Sequence, residues 1–460
     1  MATVCIQGLG FVGAAMCVAA AGARDASGKP LHDVVGVELD TPPGRDRAGR
    51  VNQGTFPFPT SDAALVDGMR RAFEARCLSA TTDPAAFAEA DVIVVDIGLD
   101  IDRGQTPPKL KMDAFTRAIE TVAAHMRPGA LVVVETTVPP GTCARVVAPA
   151  LAAGLVARGL PADAFLLAHA YERVMPGRDY LASIVDFWRC YAGHTPEAAD
   201  ACEGFLSSFI NTAEYPLRRL SSTLASETAK VLENTYRATT IALMEEWGRF
   251  AEAVGVDLFE VIDAIRVRPT HSNIRQPGFG VGGYCLTKDP LFAQAAAREL
   301  FGLEVDFPFS TMAVEVNQAM PLVSVAKVEE LLGGLTGRRI LLLGISYRQD
   351  IADTRHSPSE AFVRAVRTKG GTVVAHDPLT SRWEEMEMDV DPAVPAPDGF
   401  DAVVFAVPHP AYVGMDVLEW LGSARPLVFD ANAVLGREQL DRLRRAGLRV
   451  GAIGRGEEGR

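Results

Sequence analysis

The residues with the clearest chemical potential lie in Pro277-Gly-Phe-Gly-Val-Gly-Gly-Tyr-Cys285-Leu-Thr-Lys288-Asp289-Pro290. Four glycines precede the cysteine, Gly282 and Gly283 nearest to it, and let the backbone come close to a substrate. The pattern predicts a helix beginning around Asp289, which puts the thiol at or near a helix N-terminus with Lys288 at hand. Both features lower a thiol pKa and make a nucleophile. The plainer reading, a buried cysteine in a Gly-rich turn, is the better one for each of the other six cysteines.

Two further sets of residues suggest chemistry. In Ser226-Glu-Thr-Ala-Lys230-Val-Leu-Glu-Asn234, Lys230 and Asn234 are four apart and share one helix face. Together they offer a cation and an amide donor to an oxygen that gains negative charge in a transition state; unaided, the pattern is also that of a solvated surface lysine. Gly8-x-Gly10-x-x-Gly13 stands between an apolar run and an Ala-rich run, with Glu38 ending the next apolar run. Glycines there allow a tight turn and close approach of a pyrophosphate, and a carboxylate at Glu38 accepts ribose hydroxyls and disfavours a 2′-phosphate. This points to a dinucleotide, NAD ahead of NADP, against the alternative of a turn with a helix cap.

These groups need elements to hold them. Buried-strand runs at Thr3–Gln7, Asp33–Glu38, Asp91–Asp96, Ala130–Glu135 and Ala164–Ala168 alternate with helical stretches, as in a doubly wound α/β domain. Helical periodicity then dominates through Ser226–Val254, Leu258–Arg266, Asp289–Leu300 and Ser310–Leu332. Strand–helix alternation returns at Arg339–Gly344, Gly371–Asp377, Asp401–Val407 and Pro426–Asp430, with Trp383–Gly399 read as a surface excursion. The expectation is an α/β chain with two doubly wound, Rossmann-like domains, 1–210 and 321–460, separated by a helical middle domain, 211–320.

Composition narrows the function. The chain has 460 residues, 48% of them hydrophobic, and a formal charge of −13. That charge argues against nucleic-acid or anionic-membrane binding, so positive charge for an anionic ligand must be local. Seven cysteines without a Cys-x-x-Cys pair fit a reduced protein lacking a disulfide framework. No secretory pattern opens the chain, and the longest apolar stretch, Phe11–Ala23, falls short of the roughly 20 residues that span a bilayer. The expected location is cytoplasmic. None of the eight histidines falls in a ligand-like cluster, and no metal is expected.

Taken in order along the chain, these segments resemble the UDP-glucose/GDP-mannose dehydrogenase family, NAD-dependent four-electron oxidases of nucleotide sugars. The matching pieces are the Gly8–Gly13 turn, Glu135-Thr-Thr137-Val-Pro-Pro-Gly141, Ala170-Tyr-Glu172-Arg-Val-Met-Pro-Gly177, Glu227 to Asn234, the Cys285 loop, and Tyr347-Arg348 through Asp353-Thr-Arg355-His-Ser357-Pro358. Val407-Pro-His409 and Gly447–Gly454 also fit. The resemblance implies that a primary alcohol loses hydride to NAD, that Cys285 captures the aldehyde as a thiohemiacetal, and that a second oxidation gives a thioester which is hydrolysed to a carboxylate. It implies oxyanion stabilisation by Lys230 and Asn234, proton removal through water assisted by Asp289, and positioning of the hydrolytic water by Glu172 and Thr137. Cofactor contacts are assigned to Gly8, Gly10, Phe11, Val12, Gly13, Glu38 and Thr137. Substrate contacts fall to Glu172, Arg173, Val174, Lys230, Asn234, Gly282, Gly283, Lys288, Tyr347, Arg348 and Arg355, with Lys288, Arg348 and Arg355 offsetting the diphosphate.

The chain departs from the family pattern in places. Asp96-Ile-Gly-Leu-Asp100 stands where relatives carry a Thr-Pro pair, Arg348 replaces a lysine with a planar fork, and Asp430-Ala-Asn432 lacks an arginine found in some members. UDP- or dTDP-glucose is the favoured substrate. An N-acetylhexosamine nucleotide is the alternative, because the Glu172-Arg-Val-Met-Pro-Gly form resembles that branch. A two-electron β-hydroxyacid dehydrogenase leaves Cys285 and the last domain without a task, and a silent NAD-binding relative would be free to lose the catalytic set. The resemblance also implies a homodimer or larger homo-oligomer.

Overall fold

The computed structural model describes residues 1–105, 107–391 and 393–456; Pro392, inside the expected surface excursion, and residues 457–460 lie outside them. The chain divides into two compact units, residues 1–233 with 291–306, and residues 234–290 with 307 onward.

The first unit holds an eight-stranded sheet: β1 (Ala2–Gln7), β2 (His32–Val37), β3 (Leu78–Thr81), β4 (Val92–Val95), β5 (Leu131–Val134), β6 (Leu166–His169), β7 (Cys190–Gly193) and β8 (Arg218–Arg219), in the order β8-β7-β6-β5-β4-β1-β2-β3. All pairings are parallel except that between β6 and β7. Val92–Val95 and Leu131–Val134 are buried at every residue, as expected of parallel strands covered on both faces. Helix α1 (Phe11–Ala21) is buried from Gly13 to Ala21, its alanines letting it lie close on the sheet.

The second unit holds a five-stranded, wholly parallel sheet: β9 (Arg339–Leu343), β10 (Thr372–His376), β11 (Ala402–Phe405), β12 (Leu427–Asp430) and β13 (Val450–Ala452), in the order β10-β9-β11-β12-β13. Alternation along β9 sends Ile340 and Leu342 into one apolar cluster and Leu341 and Leu343 into another, one on each face. Both sheets are thus doubly wound and Rossmann-like, as expected. The stretch from Trp383 is not the loose excursion anticipated: the Trp383 ring is fully buried, and Arg382–Trp383 pairs antiparallel with Met388–Asp389.

Helix α2 (Thr223–Val254) is the longest element, and the unit boundary falls within it, after Glu233. The helical stretch of the chain is therefore apportioned between the units. Phe292–Phe301 goes with the first sheet, and Leu258–Arg266 and α3 (Pro308–Leu332) go with the second. No helix among the described residues is long and apolar enough to cross a membrane.

Candidate active site

In the first unit the chain leaves β1 through Gly8, which has φ +95° and donates its N–H to Val37 O at 2.8 Å. A Cβ on Gly13 would lie 1.9 Å from the Gly8 carbonyl oxygen, so turn and helix can close only with glycine there. Gly10 is the N-cap of α1 and no side chain caps the helix; a Cβ at Gly10 would meet nothing within 4 Å. A helix start that opens onto space suits a pyrophosphate. Phe11 stacks on Phe58 and its carbonyl accepts from the Tyr180 hydroxyl, while Val12 is half-buried in the first turn. Glu38 follows β2 and accepts from Leu9 N and Arg47 Nε, both at 3.0 Å, and from Leu39 N at 2.8 Å. It thereby ties the turn to the second strand. Gly8 to Gly13 and Glu38 fit a dinucleotide, and Arg47, which sequence reasoning missed, sets the orientation of the Glu38 carboxylate.

A second cluster of the first unit gathers Glu172, Arg173, Val174 and Lys230. Lys230 is 5% exposed, which removes the solvated-lysine reading. Its Nζ donates to Glu172 O at 2.6 Å, stands 3.7 Å from Glu172 Oε1 and sits 5.4 Å above the Tyr171 ring. The other Glu172 oxygen accepts from Val174 N. Arg173 forks onto Glu233 and donates to Trp188 O at 2.7 Å, which holds this arm in place. His169 at the end of β6 bonds Ser226 Oγ at 2.8 Å, and burial pushes its imidazole down to about 3, so it is neutral.

Thr137 is half-buried beyond β5; its neighbour Thr136 is the one whose hydroxyl pins the chain, donating to Val95 O and Ile97 O at 3.0 Å. Glu227 has a structural task, accepting from Gly141 N and Cys143 N where a helical segment begins. Burial pushes its carboxyl up to about 7 against the pull of those bonds.

In the second unit, Cys285 alone among the seven cysteines is exposed. Its carbonyl accepts from Lys288 N and Asp289 N, which closes the loop into a turn. The helix expected at Asp289 is a three-residue 3₁₀ turn, Asp289–Leu291, and the α-helix proper starts at Phe292. Cys285 therefore lies more than a turn ahead of the α-helix, where a helix terminus has little effect. Asp289 is fully buried and held from two sides: Asn234 Nδ2 donates to it at 2.8 Å and Lys288 Nζ at 2.7 Å.

Gly282 and Gly283 are not open to a ligand along their whole length. Cβ atoms there would lie 2.7 Å from Tyr347 Cβ and His356 O, and 2.9 Å from the Tyr347 ring, so the glycines let the Tyr347 segment close onto the Cys285 loop. Of the three cations assigned to a diphosphate, Lys288 is buried against Asp289, and Arg355 is forked onto Asp353 at 2.9 and 2.7 Å. Arg348 is exposed, with no hydrogen bond or ion pair among the described residues. Burial pushes the Tyr347 hydroxyl up to about 12, with the Asp353 and Cys285 charges adding to it.

Sequence models of the UDP-glucose/GDP-mannose dehydrogenase family match three stretches: its NAD binding domain at residues 2–190, its central domain at 224–319 and its UDP binding domain at 341–437. A UDP-N-acetyl-D-mannosamine dehydrogenase of Methanocaldococcus jannaschii is 26% identical over 99% of this chain and 97% of its own. One of Pyrococcus horikoshii is 34% identical over 64% of this chain and 67% of its own. A solved structure of the UDP-D-ManNAc dehydrogenase from Pyrococcus horikoshii is 27% identical, with TM-score 0.81 over 99% of this chain and 100% of that one. With a glycine turn built for a dinucleotide and an exposed cysteine beside a locked carboxylate, the chain belongs to the UDP-glucose/GDP-mannose dehydrogenase family, and its cofactor is NAD.

Proposed function

We propose that the protein oxidises the primary alcohol of a UDP-N-acetylhexosamine to the uronate in two NAD-dependent steps. The observation that carries the four-electron chemistry is Cys285, the one exposed thiol, four residues before a carboxylate fixed by Asn234 and Lys288. The N-acetylhexosamine is preferred to the UDP- or dTDP-glucose expected at first, because relatives matched over most of the chain are named for N-acetylmannosamine or N-acetylgalactosaminuronic acid and the Glu172-Arg173-Val174 arm resembles that branch.

NAD, when bound, would accept one hydride in each of the two oxidations, so that two molecules are consumed per sugar nucleotide. Lys230, buried and anchored to Glu172, supplies a fixed positive charge to the alkoxide and later oxyanions, and Asn234, one turn along α2, supplies an amide donor. The Cys285 thiolate adds to the aldehyde carbon to give a thiohemiacetal; loss of hydride from that carbon leaves a thioester, and water releases the acid and the thiol. Asp289 takes up the proton through water, and Glu172 with Thr137 orients the hydrolytic water. A thiol holds the aldehyde covalently and prevents its escape, a task the β-hydroxyacid reading leaves unfilled.

On this reading NAD is held on 1–210, which also supplies Glu172 and Thr137, the other catalytic groups lie on 211–320, and the nucleotide sugar is held on 321–460. Leu232, Tyr236, Leu243, Trp247, Phe250 and Val254 form an exposed apolar stripe along α2 suited to a homodimer, which light scattering will test. The decisive experiment counts NADH per sugar nucleotide consumed across a panel of UDP-N-acetylhexosamines and UDP- and dTDP-glucose. Two NADH with an N-acetylated substrate are expected; one, or a glucose preference, overturns the reading. Cys285→Ala should form no acid.

A further inference from the structure

Four residues line up along the C-terminal edge of the first sheet. Gln7, Val95, Val134 and His169 are in register across β1, β4, β5 and β6, so the next residues, Gly8, Asp96, Glu135 and Ala170, form a row. The row crosses the point between β1 and β4 where strand order reverses, the place at which doubly wound sheets bind ligands. Asp96 lies directly against the glycine turn. Its N–H donates to Gln7 O at 2.9 Å, and Cβ atoms on Gly8 and Gly13 would come within 2.7 Å of its carbonyl oxygen and 3.3 Å of its own Cβ.

The three carboxylates of this region are treated differently. Arg189 stands in ion-pair range of Glu135, though neither Glu135 oxygen takes a hydrogen bond among the described residues, and donates to Ala170 O at 3.0 Å, while Glu172 faces Lys230. Asp96 has no ion pair or hydrogen bond from its carboxyl among the described residues, and its Oδ2 is wholly buried. Leaving a buried carboxyl unpartnered is costly, and such a group usually has a function.

The topology says which part of a dinucleotide reaches it. Glu38 closes the β2 side of β1, where the adenosine ribose belongs, and Asp96 closes the β4 side, so the half of the molecule beyond the pyrophosphate runs toward Asp96. That half ends in a ring that carries a positive charge when oxidised and loses it on accepting hydride. We propose that Asp96 makes this site discriminate between the two redox forms, its carboxylate favouring the charged oxidised ring and releasing the neutral reduced one. The residue thereby favours uptake of NAD+ and release of NADH in both oxidation steps. The inference rests on the NAD site and not on the sugar, so its failure is distinguishable from failure of the substrate reading.

The groups facing Asp96 set the conditions under which this is visible. Burial pushes its carboxyl up to about 8, the Glu172 charge adds to the rise, and Arg189 opposes it. Glu135 partly neutralises Arg189, Lys230 partly neutralises Glu172, and the Cys17 thiol on α1 is buried and pushed well up, hence uncharged. A positive ring favours the ionised carboxylate, so oxidised cofactor binds more tightly as pH rises toward about 8 and expels a proton on binding. A fall of one unit in the Asp96 pKa on binding corresponds to about tenfold in affinity.

The test is titration of NAD+ and of NADH into the whole protein at pH 6 and pH 9, for the natural chain and for Asp96→Asn and Asp96→Thr. The natural chain should bind NAD+ about tenfold more tightly at pH 9 than at pH 6, with no such gain for NADH. Both variants should lose that gain and bind NAD+ more weakly at pH 9 while keeping their NADH affinity. Equal losses for both redox forms would make Asp96 a structural residue and overturn the proposal, as would a variant that keeps the pH-dependent preference. Should neither variant fold, the natural chain decides: equal pH dependence for NAD+ and NADH refutes the idea, and the predicted difference upholds it.

Discussion

The two sheets carry the same turn and use it differently. Each first strand ends in a glycine of positive φ, Gly8 at +95° and Gly344 at +104°, and each of these donates its N–H at 2.8 Å to the last residue of the second strand, Val37 or His376. Each second strand is followed by an acid, Glu38 or Asp377. In the first sheet the following glycines leave a helix start open. In the second, Asp377 is fully buried and accepts from Ile345 N and Ser346 N at 2.9 Å and from Ser346 Oγ at 2.7 Å, with His409 Nε2 at 3.2 Å. The amides that would greet a phosphate are taken up inside the protein. A shared topology thus fixes where a ligand can bind, while the acid after the second strand decides whether a dinucleotide does.

Breaking the first turn should have the largest effect. Gly13→Ala would force a methyl onto the Gly8 carbonyl, with backbone on both sides and no side chain to yield; NAD+ affinity should fall by about 10² or more, measured by calorimetry. Retained binding would mean that the turn is not the cofactor cradle.

Asp377→Ala, the matching insult to the second sheet, strips a buried turn of its acceptor. It should lower stability by about 3 kcal/mol, roughly 6–12 °C in Tm, without weakening NAD+ binding. A loss of cofactor affinity would erase the contrast between the sheets. The pH dependence sharpens it. Burial raises the Asp377 carboxyl, but the His409 hydrogen bond and charge and the two N–H donors outweigh this and hold it below its ordinary value. A group depressed on folding stabilises above its unfolded pKa and loses that contribution as pH falls through the folded one. The stability gap between the natural chain and Asp377→Asn, read from denaturation curves, should therefore be full at pH 7 and shrink below about 4.

The smallest effect is expected from Glu38→Gln, which keeps the shape and removes the charge. NAD+ should bind about tenfold more weakly, with reduced discrimination against NADP+ and little change in Tm.

Much of this was legible in the residues themselves. The Gly8–Gly13 turn, the run Leu258–Arg266 and the four-residue apolar strands follow from spacing and burial, and the structure places them within a residue or two of expectation. The short strands Leu78–Thr81 and Cys190–Gly193 were not, because each is too brief and too mixed to impose a period. Polar partnerships were the least legible. Asn234 and Asp289 are 55 residues apart and Glu135 and Arg189 are 54 apart, so no helical or strand period links either pair, and only the folded chain shows Lys288 and Arg355 bound to neighbouring carboxylates. Asp96 and Glu135 stood out in the sequence as the heads of the Asp96–Asp100 and Glu135–Gly141 segments, but their place one residue beyond neighbouring buried strands, at the ligand edge of a doubly wound sheet, shows only in the folded chain.

The exposure of Cys285 has a practical side. Six of the seven cysteine sulfurs are shielded in part or in full and one faces solvent, so peroxide meets a single open thiol. On the proposed mechanism, oxidation there to the sulfenic acid would end turnover while every core contact remains, and a thiol reductant would reverse it; a further oxygen would make the damage permanent. If Cys285 has the proposed role, protein kept without reductant will be lost as a catalyst long before it is lost as a fold, and a melting curve will not reveal the difference.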